Sequence, residues 1–250
     1  MSVQKVAFIT GANRGIGFET AKKLGKLGIF PVIGSRNASF GKEAVAKLKA
    51  DGIEADSIVF DINNKADYTS AYNYFESKFG KLDILVNNAG VSLEGDPVAS
   101  MSTVNPTTGI LEETLRGTMD ANFFAQIFST QVLLPLIRKS EAGRIVNVSS
   151  RLGSLTHHSD PSSPIYPIQM FAYNTSKTAL NAFTVHLAYE LKDTAIKVNS
   201  AHPGWVQTEL GGSTAPVTPE DGAETSVRLA TLPADGPTGG FFYLDDIIPW

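Results

Sequence analysis

Short apolar runs alternate with longer amphipathic segments along most of the chain. The apolar runs are typical of buried parallel strands, and the amphipathic segments have the spacing of helices. This alternation predicts one α/β domain over residues 1–250, with a doubly wound parallel sheet and helices on both of its faces. The predicted strands cover residues 5–10, 31–35, 57–60, 82–86, 144–148, 195–201 and 241–244. The predicted helices cover residues 18–27, 40–50, 65–79, 110–138 and 170–192, and one more begins near Thr218.

Composition narrows the class of protein. Of the 250 residues, 42% are apolar and 18% are charged, which is ordinary for a soluble globular protein. The net charge is -4 and no basic run stands out, so we expect no nucleic-acid partner. The absence of cysteine excludes disulfides and thiol catalysis.

Two segments bear on the cellular location. The longest uncharged run, residues 121–137, is short and interrupted by polar side chains, so we expect a buried helix and no membrane span. A strand-like segment follows the first four residues directly and leaves no room for a signal peptide. These features predict a cytoplasmic protein.

A glycine loop stands between the first predicted strand and the first predicted helix. Its glycines are Gly11, Gly15 and Gly17, spaced G-x-x-x-G-x-G. The amino terminus of a helix offers free N–H groups and partial positive charge, so a strand, a glycine loop and a helix form a cradle for phosphate. Glycine turns are common elsewhere, but in this setting the loop favours nucleotide binding.

The end of the second predicted strand indicates which nucleotide is bound. Dinucleotide folds meet the adenosine ribose about 20 residues beyond the glycine loop, where an acid would select NAD. This chain has Ser35-Arg36 near that place and a further cation, Arg14, inside the loop. Two guanidinium groups suit a 2′-phosphate, whereas in the alternative both arginines are solvated surface residues. We therefore expect NADP(H) in preference to NAD(H).

Polar or charged residues stand at or just beyond the ends of four predicted strands. They are Thr10, Arg36, Asp61 and Asn87. Any one of them could simply be a polar residue that ends a strand and binds no ligand. Ligands of doubly wound sheets bind beyond the carboxyl ends of the strands, so together these residues predict a ligand-binding edge.

The candidate catalytic chemistry centres on Tyr173 and Lys177. Residues four apart lie on one face of a helix, so the two side chains can share a site. A phenol titrates near pH 10 and is a poor acid at neutrality. An ammonium group close to it favours the phenolate and lowers its pKa. The same spacing also occurs by chance on many helices.

Three other polar features are open to two interpretations. Asn122 lies in a mostly apolar helical segment, where an amide can simply be hydrogen-bonded in the core. Ser149 and Ser150 end a predicted strand, where a hydroxyl can reach a substrate or cap a turn. His157-His158 invites a metal hypothesis, but no carboxylate cluster accompanies the pair, so we expect no metal site.

In this order, the motifs resemble the short-chain dehydrogenase/reductase superfamily over nearly the whole chain. Within it, the chain looks most like the carbonyl-reductase group, on the basis of Asn13-Arg14, Arg36 and residues 202–206 and 219–225. The matching motifs are residues 10–17, Asp61, residues 87–90, Asn122, Ser150, Tyr173-x-x-x-Lys177 and Pro203-Gly204-x-Val206-x-Thr208.

The resemblance implies a Rossmann-type fold and a role for each matched residue. Tyr173 would protonate the carbonyl oxygen, and Lys177 would lower the pKa of Tyr173 and hold the nicotinamide ribose. Ser150 would hydrogen-bond the substrate oxygen, and Asn122 would hold a water in a proton relay. The residues implied to contact the cofactor are Gly11, Asn13, Arg14, Ile16, Gly17, Arg36, Asp61, Ile62, Asn87, Tyr173, Lys177, Val206 and Thr208.

These features predict hydride transfer between NADPH and an aldehyde or ketone, or the corresponding secondary alcohol. One alternative is a non-catalytic NADP(H)-binding sensor, and another is an enzyme that uses the cofactor for epimerisation or dehydration. Long loops near residues 91–109 and 152–169 are expected to cover the substrate site, so the resemblance does not imply the substrate. Members of the family usually pack their two long helices across a four-helix interface, so the resemblance implies a homodimer or homotetramer, whereas some carbonyl reductases with such insertions are monomers.

Overall fold

The computed structural model describes residues 4–94 and 107–250 of the chain. In these residues, eight strands form one sheet in the order β3-β2-β1-β4-β5-β6-β7-β8. All neighbouring strands are parallel except β7 and β8, which are antiparallel. The strands are β1 (Val6–Ile9), β2 (Phe30–Ser35), β3 (Asp56–Val59), β4 (Ile84–Asn87), β5 (Arg144–Val148), β6 (Lys197–Ala201), β7 (Phe241–Tyr243) and β8 (Asp246–Ile247).

Helices cover both faces of the sheet and bury two separate apolar clusters. Alternating residues of β1 feed the two clusters, since Phe8 belongs to one and Ile9 to the other. The helices are α1 (Gly15–Lys26), α2 (Ala38–Ala50), α3 (Lys65–Phe79), α4 (Glu112–Met119), α5 (Ala125–Ile137), α6 (Leu155–His158), α7 (Phe171–Glu190), α8 (Pro219–Gly222) and α9 (Glu224–Ala230). Helices α3, α5 and α7 pack on one cluster, and α1, α2 and α9 on the other. The predicted α/β doubly wound fold is confirmed.

Several elements differ from the sequence-based expectation, among them β8, which lies outside every predicted strand. The helix predicted over residues 110–138 is interrupted by a π-helical turn, Asp120–Phe124, which separates α4 from α5. Helix α1 begins inside the glycine loop, three residues before the predicted start. The predicted loop at residues 152–169 contains α6, and a 3-10 turn, Arg151–Gly153, overlaps its start. Much of the other predicted loop, residues 95–106, lies outside the described residues.

The strand order places a crevice at the middle of the sheet. Strand β1 pairs with both β2 and β4, so the chain reverses its direction of progress across the sheet beside β1. Ligands of such sheets bind outside the carboxyl ends of the strands at this point. Within the described residues, no helix is long and apolar enough to cross a membrane.

Candidate active site

A cavity of about 1260 Å³ opens at the carboxyl ends of the strands. Typical small-molecule sites measure about 300–1,000 Å³, so this space is large for a single small ligand. The glycine loop, the ends of β2, β4, β5 and β6, and the first turns of α7 all contribute to its surface. The predicted site residues that line it are Gly11, Asn13, Arg14, Ile16, Gly17, Arg36, Ile62, Ser150, Tyr173, Lys177, Val206 and Thr208.

The glycine loop is shaped so that its backbone faces this cavity. Gly11 and Gly15 have φ values of 62° and 59°, a left-handed conformation that favours glycine. A Cβ on Gly17 would lie 2.5 Å from Nδ2 of Asn88 and 2.9 Å from Cα of Ala12. The side chain of Asn88 donates to the carbonyl oxygens of Thr10 and Gly11 at 2.9 and 3.2 Å. The cradle therefore fits a phosphate group at the amino terminus of α1.

The two arginines expected to clamp a 2′-phosphate have different surroundings. Arg14 forms a two-point ion pair with Glu209, in which Nη1 and Oε1 are 2.6 Å apart. Glu209 follows β6, so this exposed pair joins the glycine loop to a distant segment of the chain. Arg36 is exposed beside Ser35 at the end of β2 and lines the cavity. Thus Arg36 faces the cavity without competition from Glu209, whereas Arg14 is already paired.

Tyr173 lies in the first turn of α7, where its phenol meets Ser150. The Tyr173 hydroxyl interacts with the Ser150 hydroxyl, and the oxygen of Ser150 also accepts from the backbone N–H of Leu152 at 3.2 Å. The neighbouring Ser149 turns away and donates to the backbone oxygen of Lys177 at 3.5 Å. Of the two serines, Ser150 is therefore the one beside Tyr173.

Lys177 lies one helical turn after Tyr173 and is buried. Its Nζ donates to the backbone oxygen of Val148 at 2.8 Å and lies 5.7 Å from the centre of the Tyr173 ring. A Cβ on Gly90 would come within 3.5 Å of the same nitrogen, so the backbone passes closely here. The predicted sharing of one helix face by Tyr173 and Lys177 is therefore present.

Burial dominates the pKa values of this pair, and the expected lowering of the Tyr173 pKa by Lys177 stays a prediction. Burial raises the pKa of Tyr173 to about 12, and the hydrogen bond with Ser150 only opposes that rise. Burial lowers the pKa of Lys177 to about 8. The physical reason is desolvation, which disfavours the charged form of both groups.

Asn122 is fully buried in the π-helical turn and lies outside the cavity surface. Its Oδ1 accepts from the N–H of Val91 at 2.8 Å. Its Nδ2 donates to the oxygen of Val91 at 2.8 Å and to Oγ of Ser176 at 3.0 Å. The side chain thus ties the segment after β4 to α7.

Two predicted cofactor residues are placed elsewhere. The side chain of Asn87 turns into the core and donates to Thr130 Oγ1 at 3.0 Å and to Asn147 Oδ1 at 2.8 Å. Asp61 does not line the cavity, and its carboxylate accepts from the N–H of Asn63 at 3.0 Å. These two side chains do not line the described cavity, and their contacts with a cofactor stay predictions. Alternate residues of a strand face opposite ways, and the sequence does not say which way the last residue points.

The sequence-based interpretation missed several residues at the site. The carboxylate of Glu94 accepts from the backbone N–H of Tyr173 at 2.8 Å and so caps the start of α7. Arg151, His202 and Tyr243 follow or end three neighbouring strands and line the cavity together. The position of Arg151 directly after Ser150 could have indicated that it lies at the site. No sequence pattern indicated that Glu94 does.

Of the two histidines, His158 has structural partners for its Nε2. Nε2 of His158 lies 3.0 Å from the oxygen of Leu152 and 3.2 Å from Nδ2 of Asn174. Within residues 4–94 and 107–250, no three histidine or acidic side chains come together as a metal site.

Comparison with known proteins agrees with this fold and identifies the family. Residues 5–217 match the short chain dehydrogenase family. Salutaridine reductase of Papaver somniferum is 34% identical over 301 residues, covering 96% of this chain and 94% of the relative. Carbonyl reductase [NADPH] 1 of Mus musculus is 31% identical over 287 residues, covering 100% and 99%.

The solved structures extend the likeness to three dimensions. The structure of salutaridine reductase from Papaver somniferum superimposes with a TM-score of 0.80 at 31% identity, covering 97% of this chain and 100% of that one. A family match over most of the chain, full-length relatives and a shared fold all agree. The chain therefore belongs to the short-chain dehydrogenase family, whose members are oxidoreductases that act on carbonyl and alcohol groups.

Proposed function

We propose that this protein is an NADPH-dependent reductase of aldehydes or ketones. The observation that carries the proposal is the cluster of Ser150, Tyr173 and Lys177 in the same cavity as the glycine cradle. An oxidoreductase of this kind needs a dinucleotide and a proton donor side by side. The glycine cradle suits the dinucleotide, and the cluster around Tyr173 suits the proton donor.

Bound NADPH would supply the hydride, and the protein would handle the proton. The hydroxyls of Ser150 and Tyr173 lie together and would both hydrogen-bond the substrate carbonyl oxygen. With the pKa of Tyr173 raised to about 12 by burial, its phenol is protonated at neutral pH. That is the form required for reduction, because the phenol can protonate the oxygen as it becomes an alkoxide. Lys177 would stabilise the phenolate that remains and hold the nicotinamide ribose.

Asn122 would act on the substrate indirectly, through a relay water. Its side chain is occupied by Val91 and Ser176, so any part it takes in holding a relay water falls to its backbone. The π-helical turn supports that role, because such turns occur frequently at functional sites.

The preference for NADPH rests on charge. Arg36 lies exposed at the end of β2, where a 2′-phosphate would sit, and Arg14 lies nearby in the loop. Charge-assisted hydrogen bonds from guanidinium groups suit a phosphate. The mouse relative carries NADPH in its name, which supports the same choice.

The catalytic assignment is tested by following NADPH consumption with a panel of aldehydes and ketones. Tyr173→Phe is expected to lower turnover by about 10²- to 10⁴-fold, since it removes the proton donor, while NADPH binding persists. Tyr166→Phe is the matched control, because Tyr166 is half-exposed and does not line the cavity. Equal turnover by wild type and Tyr173→Phe would overturn the assignment, and absence of turnover in wild type would favour a sensor.

The cofactor assignment is tested by titrating the protein with NADPH and NADH side by side. Arg36→Ala is expected to weaken NADPH binding by about tenfold or more and to leave NADH binding unchanged, since only NADPH carries the 2′-phosphate. Arg138→Ala, at an exposed ion pair with Glu190, is the control. Equal binding of the two cofactors by wild type would contradict the assignment.

A further inference from the structure

The cavity is positively charged although the whole chain is acidic. Four basic side chains line it, namely Arg14, Arg36, Arg151 and Lys177, in a chain whose net charge is -4. The acid on the described cavity surface is Glu209, which is paired with Arg14. The proposed function uses three of the cations, for the cofactor phosphate and for the proton donor. Arg151 is left without a role.

The guanidinium of Arg151 has no acceptor among the described residues. Its Nε is buried without a hydrogen-bond partner, and it forms no ion pair in that part of the chain. Its charged carbon lies 5.8 Å from the centre of the Tyr243 ring. Burial of a donor without an acceptor costs free energy, so a ligand that brings an acceptor group to this guanidinium is favoured.

Neighbouring residues hold Arg151 at the cavity surface. Its backbone N–H donates to Nδ1 of His202 at 3.2 Å, and the His202 ring lies 5.2 Å from the Tyr243 ring. Burial lowers the pKa of His202 to about 3, so this imidazole is neutral and adds no charge. We call Arg151, His202 and Tyr243 the basic wall. Its one positive charge lies over the ring of Tyr243.

The basic wall adjoins the proton-donating residues. Arg151 follows Ser150 directly, so their Cα atoms are about 3.8 Å apart. The cofactor cradle lies around β1 and β2, whereas the basic wall lies beyond β5, β6 and β7, on the far side of Ser150. Apolar side chains also line the cavity, among them Leu152, Ile165, Ile168 and Trp205.

We propose that Arg151 determines specificity and that the substrate is a carbonyl compound with a carboxylate and an apolar body. The carboxylate would bind the guanidinium, the carbonyl oxygen would meet Ser150 and Tyr173, and the apolar body would contact the surrounding side chains. This inference rests on the proposed function and adds to it the class of substrate.

The test compares acids with their neutral esters. The substrates are phenylglyoxylate and 3-benzoylpropionate, which differ in the spacing between ketone and carboxylate, and the methyl ester of each. Steady-state rates with NADPH give kcat/KM for all four. Binding of the two acids is followed separately by tryptophan fluorescence, since Trp205 lines the cavity.

Wild type is expected to favour at least one acid over its ester by about tenfold in kcat/KM. Arg151→Gln is expected to lower kcat/KM for that acid by about 10- to 100-fold, mainly through KM, as loss of a charge-assisted hydrogen bond implies. The ester should change less than about threefold, because it carries no negative charge to pair with the guanidinium. Arg151→Lys should recover part of the loss, and Arg138→Gln is the surface control.

The outcomes separate this proposal from the proposed function. Equal losses on acid and ester would overturn the specificity role and show that Arg151 only supports Ser150. An ester preferred by wild type, with no effect of Arg151→Gln, would also overturn it. Reduction of the esters but not of the acids would overturn the proposed carboxylate specificity and would still support the reductase activity. Acid binding that needs Arg151, without any turnover, would overturn the reductase and support the anion site.

Discussion

At the scale of single residues, burial and ion pairing decide the ionisation of each side chain at the site and its availability to a ligand. Tyr173 and Lys177 are both buried, and desolvation moves their pKa values in opposite directions, to about 12 and about 8. Arg14 is exposed and has an acid, Glu209, at its guanidinium. A residue type at the right place in a motif therefore does not fix its ionisation or its availability to a ligand.

The pairing of Arg14 leads to a prediction about cofactor preference. A 2′-phosphate must compete with Glu209 for Arg14, so Glu209→Gln is expected to tighten NADPH binding by up to about fivefold and to leave NADH unchanged. This range corresponds to an exposed ion pair worth about 0–1 kcal/mol. Fluorescence titrations with both cofactors measure the change. Glu190→Gln, which removes the partner of Arg138, is the control, and weaker NADPH binding by Glu209→Gln would contradict the prediction.

At the scale of elements, close backbone approach shapes the cradle and the catalytic helix. Helix α1 starts within the glycine loop, and Gly17 packs against Asn88 and Ala12 with no room for a Cβ. The π-helical turn points Asn122 toward Val91 and Ser176. Both features bring segments far apart in the chain into contact beside the cavity.

The cradle leads to a prediction about Gly17. In Gly17→Ala, the new methyl would meet Asn88 and the backbone of Ala12, so either the loop or Asn88 must move. We expect a stability loss of about 1–3 kcal/mol from overpacking, measured by urea unfolding, and NADPH binding weakened by about tenfold or more. Gly52→Ala is the control, because Gly52 has open space around it and pays only for its left-handed φ of 76°. NADPH binding by Gly17→Ala equal to that of the control would contradict the prediction.

At the scale of the whole molecule, burial at the carboxyl-terminal edge of the sheet shifts the pKa values of several ionisable side chains away from their usual values. His202 is one of them, and its pKa is lowered to about 3 by burial and, less strongly, by the nearby Arg151. In the unfolded chain the same side chain titrates near pH 6.5. Between these values the unfolded state binds one more proton than the folded state.

This difference predicts that His202 destabilises the fold in acid. The stability it contributes is fully present above about pH 6.5 and is lost as pH falls toward 3, by about 1.4 kcal/mol for each pH unit. His202→Asn keeps an acceptor for the N–H of Arg151 and is expected to reduce the slope of unfolding free energy against pH by that amount between pH 6 and 4. His186→Asn, at an exposed position, is the control. An unchanged slope for His202→Asn would contradict the prediction, whatever its effect on overall stability.

The sequence by itself determined the fold and the family. Apolar runs such as residues 5–10 and 82–86 specify buried strands because their pattern is local and periodic. The spacing of Tyr173 and Lys177 placed them on one helix face for the same reason. The glycines of the loop identified the cradle, because few other residues tolerate its backbone. The catalytic roles of these residues stay predictions.

Tertiary structure alone decided which side chains face the cavity. Asn88, and not Asn87, supports the cradle, and Ser150, and not Ser149, meets Tyr173. The pairing of Arg14 with Glu209 and the gathering of Arg151 with two later strand ends join residues far apart in the chain. Such contacts depend on where strand ends lie in the folded sheet and on how much water each group loses. Neither quantity is contained in local spacing, because both arise only when distant segments pack together.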